Sequence, residues 1–242
     1  MGLEVEHAEA DTTQRTYARL AGILFLGVIL IALIGGSILS RVAGSGTFAE
    51  TAARITASER LYRVGLSTVL MASLGSTLLA FALYATLRPV NRLLAQLALI
   101  FSLNDSFLAL IVRMCGFARM HLYVSAQTSG AGLVTAQTLV DLLRTIGGTT
   151  ENLGGICFGI GSALFYYLFF KSRYIPRFVS ALGLCASVIW TGLYLANLIF
   201  PERHALFQYL CFPPMALADI ATGLYLMLFA VKSESPAISL HP

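Results

Sequence analysis

Two aspartates lie inside long apolar stretches of the sequence, where a charged side chain is expensive. Asp105 lies in the run 93–112, and Asp219 lies in the run 210–231. An ionisable side chain at the bilayer centre costs about 2.5–3.5 kcal/mol on insertion scales, so such a residue usually faces a partner or a water-filled cavity. Two carboxylates in such a cavity could carry a proton, which is the chemistry of proton-coupled transport and of acid–base catalysis.

The positions of the two aspartates within their runs predict that they meet. At about 1.5 Å per residue, both lie roughly 18–20 Å from the same membrane face. We therefore predict one buried polar site that contains Asp105, Asp219 and the neighbouring Asn104. The alternative is that each aspartate is a neutral acid that hydrogen-bonds to a nearby polar group and holds helices together. The prolines 213–214 favour a cavity beside Asp219, because they leave backbone carbonyls free.

A charged pair and a glycine pair are further candidates. Arg113 and Glu151 lie at the same predicted membrane boundary, where an ion pair could close the mouth of the acidic site. Ordinary solvation is the simpler explanation, because charges at a membrane boundary cost little. Gly155 and Gly159 are four residues apart, the spacing that lets membrane helices approach each other closely.

The sequence predicts no metal, no cofactor and no catalytic residue. The spacings G-x-S-x-G, H-E-x-x-H and that of the P-loop are absent. The cysteines form no C-x-x-C pair and are predicted to be small buried hydrophobic residues, and the histidines lie outside the apolar runs. These residues are Cys115, Cys157, Cys185, Cys211, His7, His121, His204 and His241.

The composition indicates that these residues belong to a membrane protein. Of the 242 residues, 57% are hydrophobic and 12% are charged, and the mean hydropathy is +0.78. A soluble domain carries about 25% charged residues, so a water-soluble fold is excluded. The net charge of +4 suits anionic lipid head groups better than nucleic acid. Membrane lipids are thus the expected partners, a second copy or another protein is compatible, and nucleic acid is not expected.

The apolar runs predict an all-α membrane bundle of six transmembrane helices, since about 20 apolar residues cross a bilayer core of about 30 Å. A polar tail, expected to be disordered, precedes the bundle over 1–14, the transmembrane domain covers 15–232, and a C-terminal tail covers 233–242. The predicted spans are 20–40, 64–86, 93–112, 151–171, 178–200 and 210–231.

Shorter helices are predicted between the spans. Thr47 and Glu50 have capping-box spacing and begin an amphipathic segment, which we interpret as an interfacial helix or a water-exposed loop helix. Asp11 and Gln14 suggest a weaker helix start of the same kind. Leu139 belongs to an apolar face that predicts a short surface helix, which ends at the glycines 147–148.

The short basic turns between spans predict the orientation. LRPVNR contains Arg88 and Arg92, and KSRYIPR contains Arg173 and Arg177 at the same spacing. Since Lys and Arg in short loops favour the cytoplasm, we predict an inner-membrane protein with both termini cytoplasmic. The matching turns also suggest an internal repeat, although basic turns arise from the orientation rule alone.

Aromatic residues precede one of these turns. Tyr166, Tyr167, Phe169 and Phe170 lie just before Lys171 and are predicted to form an interfacial belt.

The order of the motifs resembles a bacterial membrane-protein family, the domain of unknown function 4386. The resemblance rests on FAETAARITASERLYRVG, LYATLRPVNRLLAQLALIF and YYLFFKSRYIPRFVSALGL, and it extends over 12–232. It implies a six-helix integral membrane protein and no particular activity. Three classes of function therefore stay open: a small transporter or permeation protein, an accessory or sensor protein that binds a partner, and an intramembrane enzyme that acts on lipid.

Overall fold

The computed structural model describes residues 2–129, 132–200 and 204–229, with side chains for 14–127, 132, 134–200 and 212–229. The described residues form seven α-helices. They are α1 (Gly2–Ala43), α2 (Phe48–Ala57), α3 (Glu59–Leu87), α4 (Arg92–Ser129), α5 (Leu133–Ser172), α6 (Arg177–Ile199) and α7 (His204–Phe229).

Six of these helices are long and apolar enough to cross a membrane, and the predicted fold class is confirmed. The candidate spans are Gln14–Ala43, Glu59–Leu87, Arg92–Gln127, Val134–Ser172, Arg177–Ile199 and Phe212–Phe229.

The six long helices form a closed ring. Each packs against the next in chain order from α1 through α3, α4, α5 and α6 to α7, and α7 packs back against α1. In a ring of this order, α4 and α7 occupy opposite positions.

Helices α4 and α5 are much longer than predicted. The expected surface helix is the first part of α5, which continues through Gly147 and Gly148 without a break. A glycine inside a helix costs only about 1 kcal/mol, and here Gly147 faces Cys115 of α4, so helix packing prevails over propensity. With 40 residues, α5 is about 60 Å long, twice the thickness of a bilayer core.

The N-terminal segment also differs from expectation. Helix α1 begins at Gly2 and includes the segment that we expected to be disordered. Asp11 therefore lies within a helix and does not cap one. No proline or glycine interrupts the chain between this segment and the first span, so the helix can extend through both. The C-terminal tail 233–242 lies outside the described residues.

The predicted capping box is confirmed at the start of α2. The Thr47 backbone N–H donates to Glu50 Oε2 at 2.9 Å, and the Glu50 N–H donates to Thr47 Oγ1 at 3.4 Å. Ala52 and Ile55 are fully buried in a cluster with Met120 of α4. The apolar face of α2 thus packs against protein, which neither sequence interpretation anticipated.

Helix α5 approaches α6 closely at the two predicted glycines. The ring of Tyr194 packs on the backbone of Gly155, and the side chain of Thr191 packs on Gly159, so a side chain at either glycine would collide. The Trp190 indole N–H also donates to the Gly155 carbonyl at 3.1 Å.

The cysteines divide between interior and surface. Cys115 is buried and Cys157 is partly buried, but Cys185 is exposed, so the prediction that it is buried is wrong. An apolar thiol on the outer face of a membrane bundle contacts lipid at little cost. Hydropathy therefore does not distinguish a lipid-facing cysteine such as Cys185 from a buried one such as Cys115. The side chain of Cys211 is outside the described residues.

Candidate functional site

Asp219 on α7 is held by a hydrogen bond from another helix. The hydroxyl of Tyr166 on α5 donates to Asp219 Oδ1 at 2.7 Å. Thr222, one turn after Asp219, donates its own hydroxyl to the Tyr166 oxygen at 3.4 Å. Tyr166 is 3% exposed and Thr222 is fully buried. The Tyr166 hydroxyl therefore both donates and accepts, and one Asp219 oxygen has a partner inside the bundle.

A glycine on the intervening helix makes this contact possible. The ring of Tyr166 lies directly against Gly183 of α6, where any side chain would collide with the ring. Because Gly183 has no side chain, Tyr166 can reach from α5 past α6 to α7. The three helices are joined at this point by one hydrogen bond and one close ring-to-backbone contact.

Asp105 on α4 has very different surroundings. Its Oδ1 lies 3.2 Å from the position that a Cβ would take at Gly154, so the carboxyl group packs against the backbone of α5. Within the described part of the chain, no hydrogen-bond donor reaches the Asp105 side chain. The adjacent Ser106 hydroxyl is buried and also has no partner among these residues. Asp105 is thus a partly buried acid whose hydrogen-bonding capacity is unused.

Asp105 interacts electrostatically with Arg113 on the same helix. Its guanidinium also interacts electrostatically with Glu151 of α5. Arg113 and Glu151 do not form a direct ion pair within the described residues, whereas Arg63 pairs with Glu59 and Arg144 pairs with Asp141. The Arg113 Nε atom is buried without a hydrogen-bond partner in the described chain, while Glu151 is exposed.

The structure does not bring the two aspartates together. Asp219 is bound at Tyr166 and Asp105 packs at Gly154, and these α5 positions are twelve residues, or about 18 Å, apart along the helix. The two acids also lie on α4 and α7, which are opposite in the ring. Asn104 is exposed on the outer surface of α4 and does not join either acid.

The role of Tyr166 was missed in the sequence, where it was assigned to an interfacial belt. Tyr167 and Phe170 are exposed as a belt requires, at 43% and 40%, but Tyr166 and Phe169 are buried core residues. A signal was present, because Tyr166 follows Gly159 by seven residues. Heptad spacing places both residues on the face of α5 that packs against α6.

Within the described residues, no three His, Cys, Asp or Glu side chains lie close enough together to hold a metal ion. The candidate chemistry therefore rests on one acid with a hydrogen-bond partner, one acid without, and an arginine that interacts electrostatically with Asp105 and Glu151.

Fold and site together define a multi-pass helical membrane protein with two separate acids inside its bundle. The family model described as domain of unknown function (DUF4386) matches residues 20–230, and the chain belongs to this family. Comparison with curated proteins and comparison with solved structures each find no match.

Proposed function

We propose that the protein is a small transporter or permeation protein whose polar site is centred on Asp105. The observation that carries this proposal is that Asp105 lies within a membrane-spanning helix without a hydrogen-bond donor among the described residues. An acid in this position is costly unless it faces a partner or a water-filled cavity, and such acids commonly mark substrate or ion pathways. Its unused acceptors suit a proton or a small solute that carries a hydrogen-bond donor or a positive charge.

Arg113 and Glu151 complete the proposed site. Arg113 is attracted by both carboxylates, so a cation or proton that binds Asp105 would compete with Arg113 for it. Glu151 is exposed and offers the guanidinium another partner. In this proposal Arg113 shifts towards Glu151 when Asp105 is occupied, and the pair acts as the gate predicted from the sequence.

Proton-coupled flux in proteoliposomes tests the proposal. Wild-type protein and Asp105→Asn are reconstituted with an internal pH-sensitive dye, and proton entry is recorded under an imposed gradient. We expect the substitution to abolish flux while insertion and thermal stability stay normal. Asn104→Ala, next in sequence but exposed on the outer face, is the matched control and should retain flux. Equal flux in wild type and Asp105→Asn would exclude this role.

A second candidate function is that of an accessory protein that binds a protein partner. It is favoured by apolar side chains exposed along the first part of α5, where the helix is too long to be contained in one bilayer core. These are Leu139, Leu142 and Ile146, which are 42%, 54% and 43% exposed. Stable co-purification of one partner, lost in Leu142→Glu and retained in the exposed control Thr145→Glu, would favour this function over transport.

We also propose that the membrane is the inner membrane and that both termini are cytoplasmic. At one end of the bundle, which we call the basic end, a group of exposed Lys and Arg side chains forms no ion pair with another described side chain. At the opposite end Arg41 and Arg60 are also exposed, but Arg63 and Arg144 are in ion pairs and Arg54 donates to the Ala43 carbonyl. Unpaired positive charge favours the cytoplasmic side. The basic end contains Arg19, Arg88, Arg92, Lys171, Arg173 and Arg177.

Cysteine labelling tests the orientation. In a background that lacks the native cysteines, His241→Cys and Glu202→Cys are exposed separately to an impermeant thiol reagent in intact spheroplasts. We expect labelling at position 202 and none at position 241. Labelling at position 241 would reverse the proposed orientation.

A further inference from the structure

Two basic turns of the basic end are held side by side by one glutamine. The Gln14 amide nitrogen donates to the Thr86 carbonyl at 2.9 Å and to the Tyr174 hydroxyl at 2.9 Å. Thr86 lies two residues before Arg88, and Tyr174 directly follows Arg173. Gln14 thus connects the turn between α3 and α4 to the turn between α5 and α6.

The second turn is itself rigidly built. The Arg173 N–H donates to the Phe169 carbonyl at 3.0 Å, and Arg173 adopts a left-handed conformation with φ of 58°. The Ser172 hydroxyl accepts from the Tyr174 N–H at 3.4 Å, and Ile175 is 1% exposed in the bundle core. Ile175 therefore anchors the turn in the bundle core, while the Arg173 side chain is exposed.

Each turn carries two arginines at a spacing of four residues. Arg88 and Arg92 belong to the first, and Arg173 and Arg177 to the second. All four are exposed, and none takes part in an ion pair within the described residues. Guanidinium groups bind phosphate oxygens through paired hydrogen bonds, so exposed arginines on two adjoining turns suit a phosphate group.

Exposed apolar side chains adjoin these cations in the sequence. Leu93 follows Arg92 and is 74% exposed, and Phe178 follows Arg177 and is 77% exposed. The Arg177 guanidinium also lies 6.0 Å from the centre of the Phe170 ring, which is itself 40% exposed. A cation next to an exposed apolar side chain is complementary to a phospholipid, in which a phosphate is joined to acyl chains. Such pairs do not match a free phosphate ion.

We propose that the two basic turns bridged by Gln14 form a binding site for the phosphate of an anionic phospholipid. The arginines of both turns bind the headgroup, and the adjoining apolar side chains contact the acyl chains. Gln14 contributes no charge but holds the turns at a fixed separation, which distinguishes a built site from diffuse surface charge.

Lipid titration of the full-length protein tests this site. The chain is placed in nanodiscs of phosphatidylcholine with increasing phosphatidylglycerol, and the melting temperature and lipid occupancy by native mass spectrometry are recorded. The full chain is used because acidic residues precede Gln14 in the sequence. We expect Arg88→Gln with Arg173→Gln to weaken phosphatidylglycerol binding at least tenfold. Arg41→Gln with Arg60→Gln, exposed at the opposite end, should leave it unchanged.

Two further measurements keep the inference falsifiable. Gln14→Leu retains every arginine and should weaken binding several-fold, and unchanged binding would overturn the bridged site in favour of diffuse charge. Equal weakening by the two arginine pairs would overturn it in the same way. Inorganic phosphate and glycerol phosphate are added as competitors, and competition at concentrations equal to those of the lipid would show a site for free phosphate instead. Melting in pure phosphatidylcholine verifies that each variant is folded.

Discussion

Asp219 and Asp105 have similar sequence contexts, but their side chains differ in hydrogen bonding. Each is an aspartate within a long apolar helix, yet Asp219 accepts a 2.7 Å hydrogen bond from Tyr166 while Asp105 has no donor among the described residues. The difference comes from α5, which contributes a tyrosine to one acid and Gly154 to the other. What a neighbouring helix places opposite an intramembrane acid therefore decides whether the acid has a hydrogen-bond donor.

The Asp219 contact depends on packing as much as on the hydrogen bond. Tyr166 can cross α6 because Gly183 leaves room for its ring, and Thr222 is positioned to donate to the tyrosine oxygen. Around Asp105, by contrast, Ser106 Oγ and Arg113 Nε are buried and have no hydrogen-bond partners in the described residues. One region of the bundle has most of its polar groups paired, and the other retains unused ones.

The largest effect is expected from blocking the tyrosine at Gly183. Gly183→Leu would force the Tyr166 ring out of its place and remove the donor of Asp219, so we expect a loss of about 3 kcal/mol in the free energy of unfolding. The matched control is Gly192→Leu on the same helix, where nothing lies within 4 Å of the added carbon. Denaturant titration in mixed micelles measures the free energy of unfolding of both variants. Equal stability would contradict the passage of Tyr166 past α6 at Gly183.

Removing only the tyrosine hydroxyl should have a smaller effect. Tyr166→Phe preserves the ring against Gly183 but leaves Asp219 without its donor, for which we expect a loss of about 1–2 kcal/mol. Tyr167→Phe is the control, because Tyr167 is 43% exposed on the outer surface. If the two phenylalanine variants unfold at the same denaturant concentration, the hydrogen bond contributes nothing and the contrast between the two acids disappears.

Local patterns in the sequence predicted local structure well. The apolar runs gave the spans, and the spacing of Thr47 and Glu50 gave a capping box that the structure contains. Hydropathy did not predict the full length of α5, because a fall in hydropathy marks the membrane boundary and not the end of a helix. The glycines 147–148 do not end the helix, because α4 packs against Gly147.

Equal depth in the membrane was not enough to predict whether the two aspartates meet. Equal depth places two residues together only when their helices are neighbours, and the ring order puts α4 opposite α7. The donor of Asp219 is 53 residues away in sequence, so no local pattern around Asp219 reveals it. The heptad relation between Gly159 and Tyr166 carried part of that information, since it identified the face of α5 that turns towards α6.

Substituting the acids themselves should separate their roles. Asn retains an acceptor for the Tyr166 hydroxyl, so Asp219→Asn should change the free energy of unfolding by less than about 1 kcal/mol and leave any flux intact. Asp105→Asn should be neutral or slightly stabilising, because it removes a potential charge that lacks a donor, but it should abolish flux. Stability and proteoliposome flux are measured on the same preparations. Loss of flux in Asp219→Asn alone would transfer the proposed site to α7.

The smallest effect concerns the space beside Asp105. A Cβ at Gly154 would lie 3.2 Å from Asp105 Oδ1, so Gly154→Ala must displace the carboxyl group by a few tenths of an ångström. Alanine normally stabilises a helix by about 1 kcal/mol relative to glycine, and Gly148→Ala, with nothing within 4 Å, should show that gain. Because Asp105 has no hydrogen bond to lose, we expect Gly154→Ala to retain part of the gain and remain folded. A loss of more than about 1 kcal/mol relative to Gly148→Ala would show that Asp105 is held in place after all, as a structural acid is.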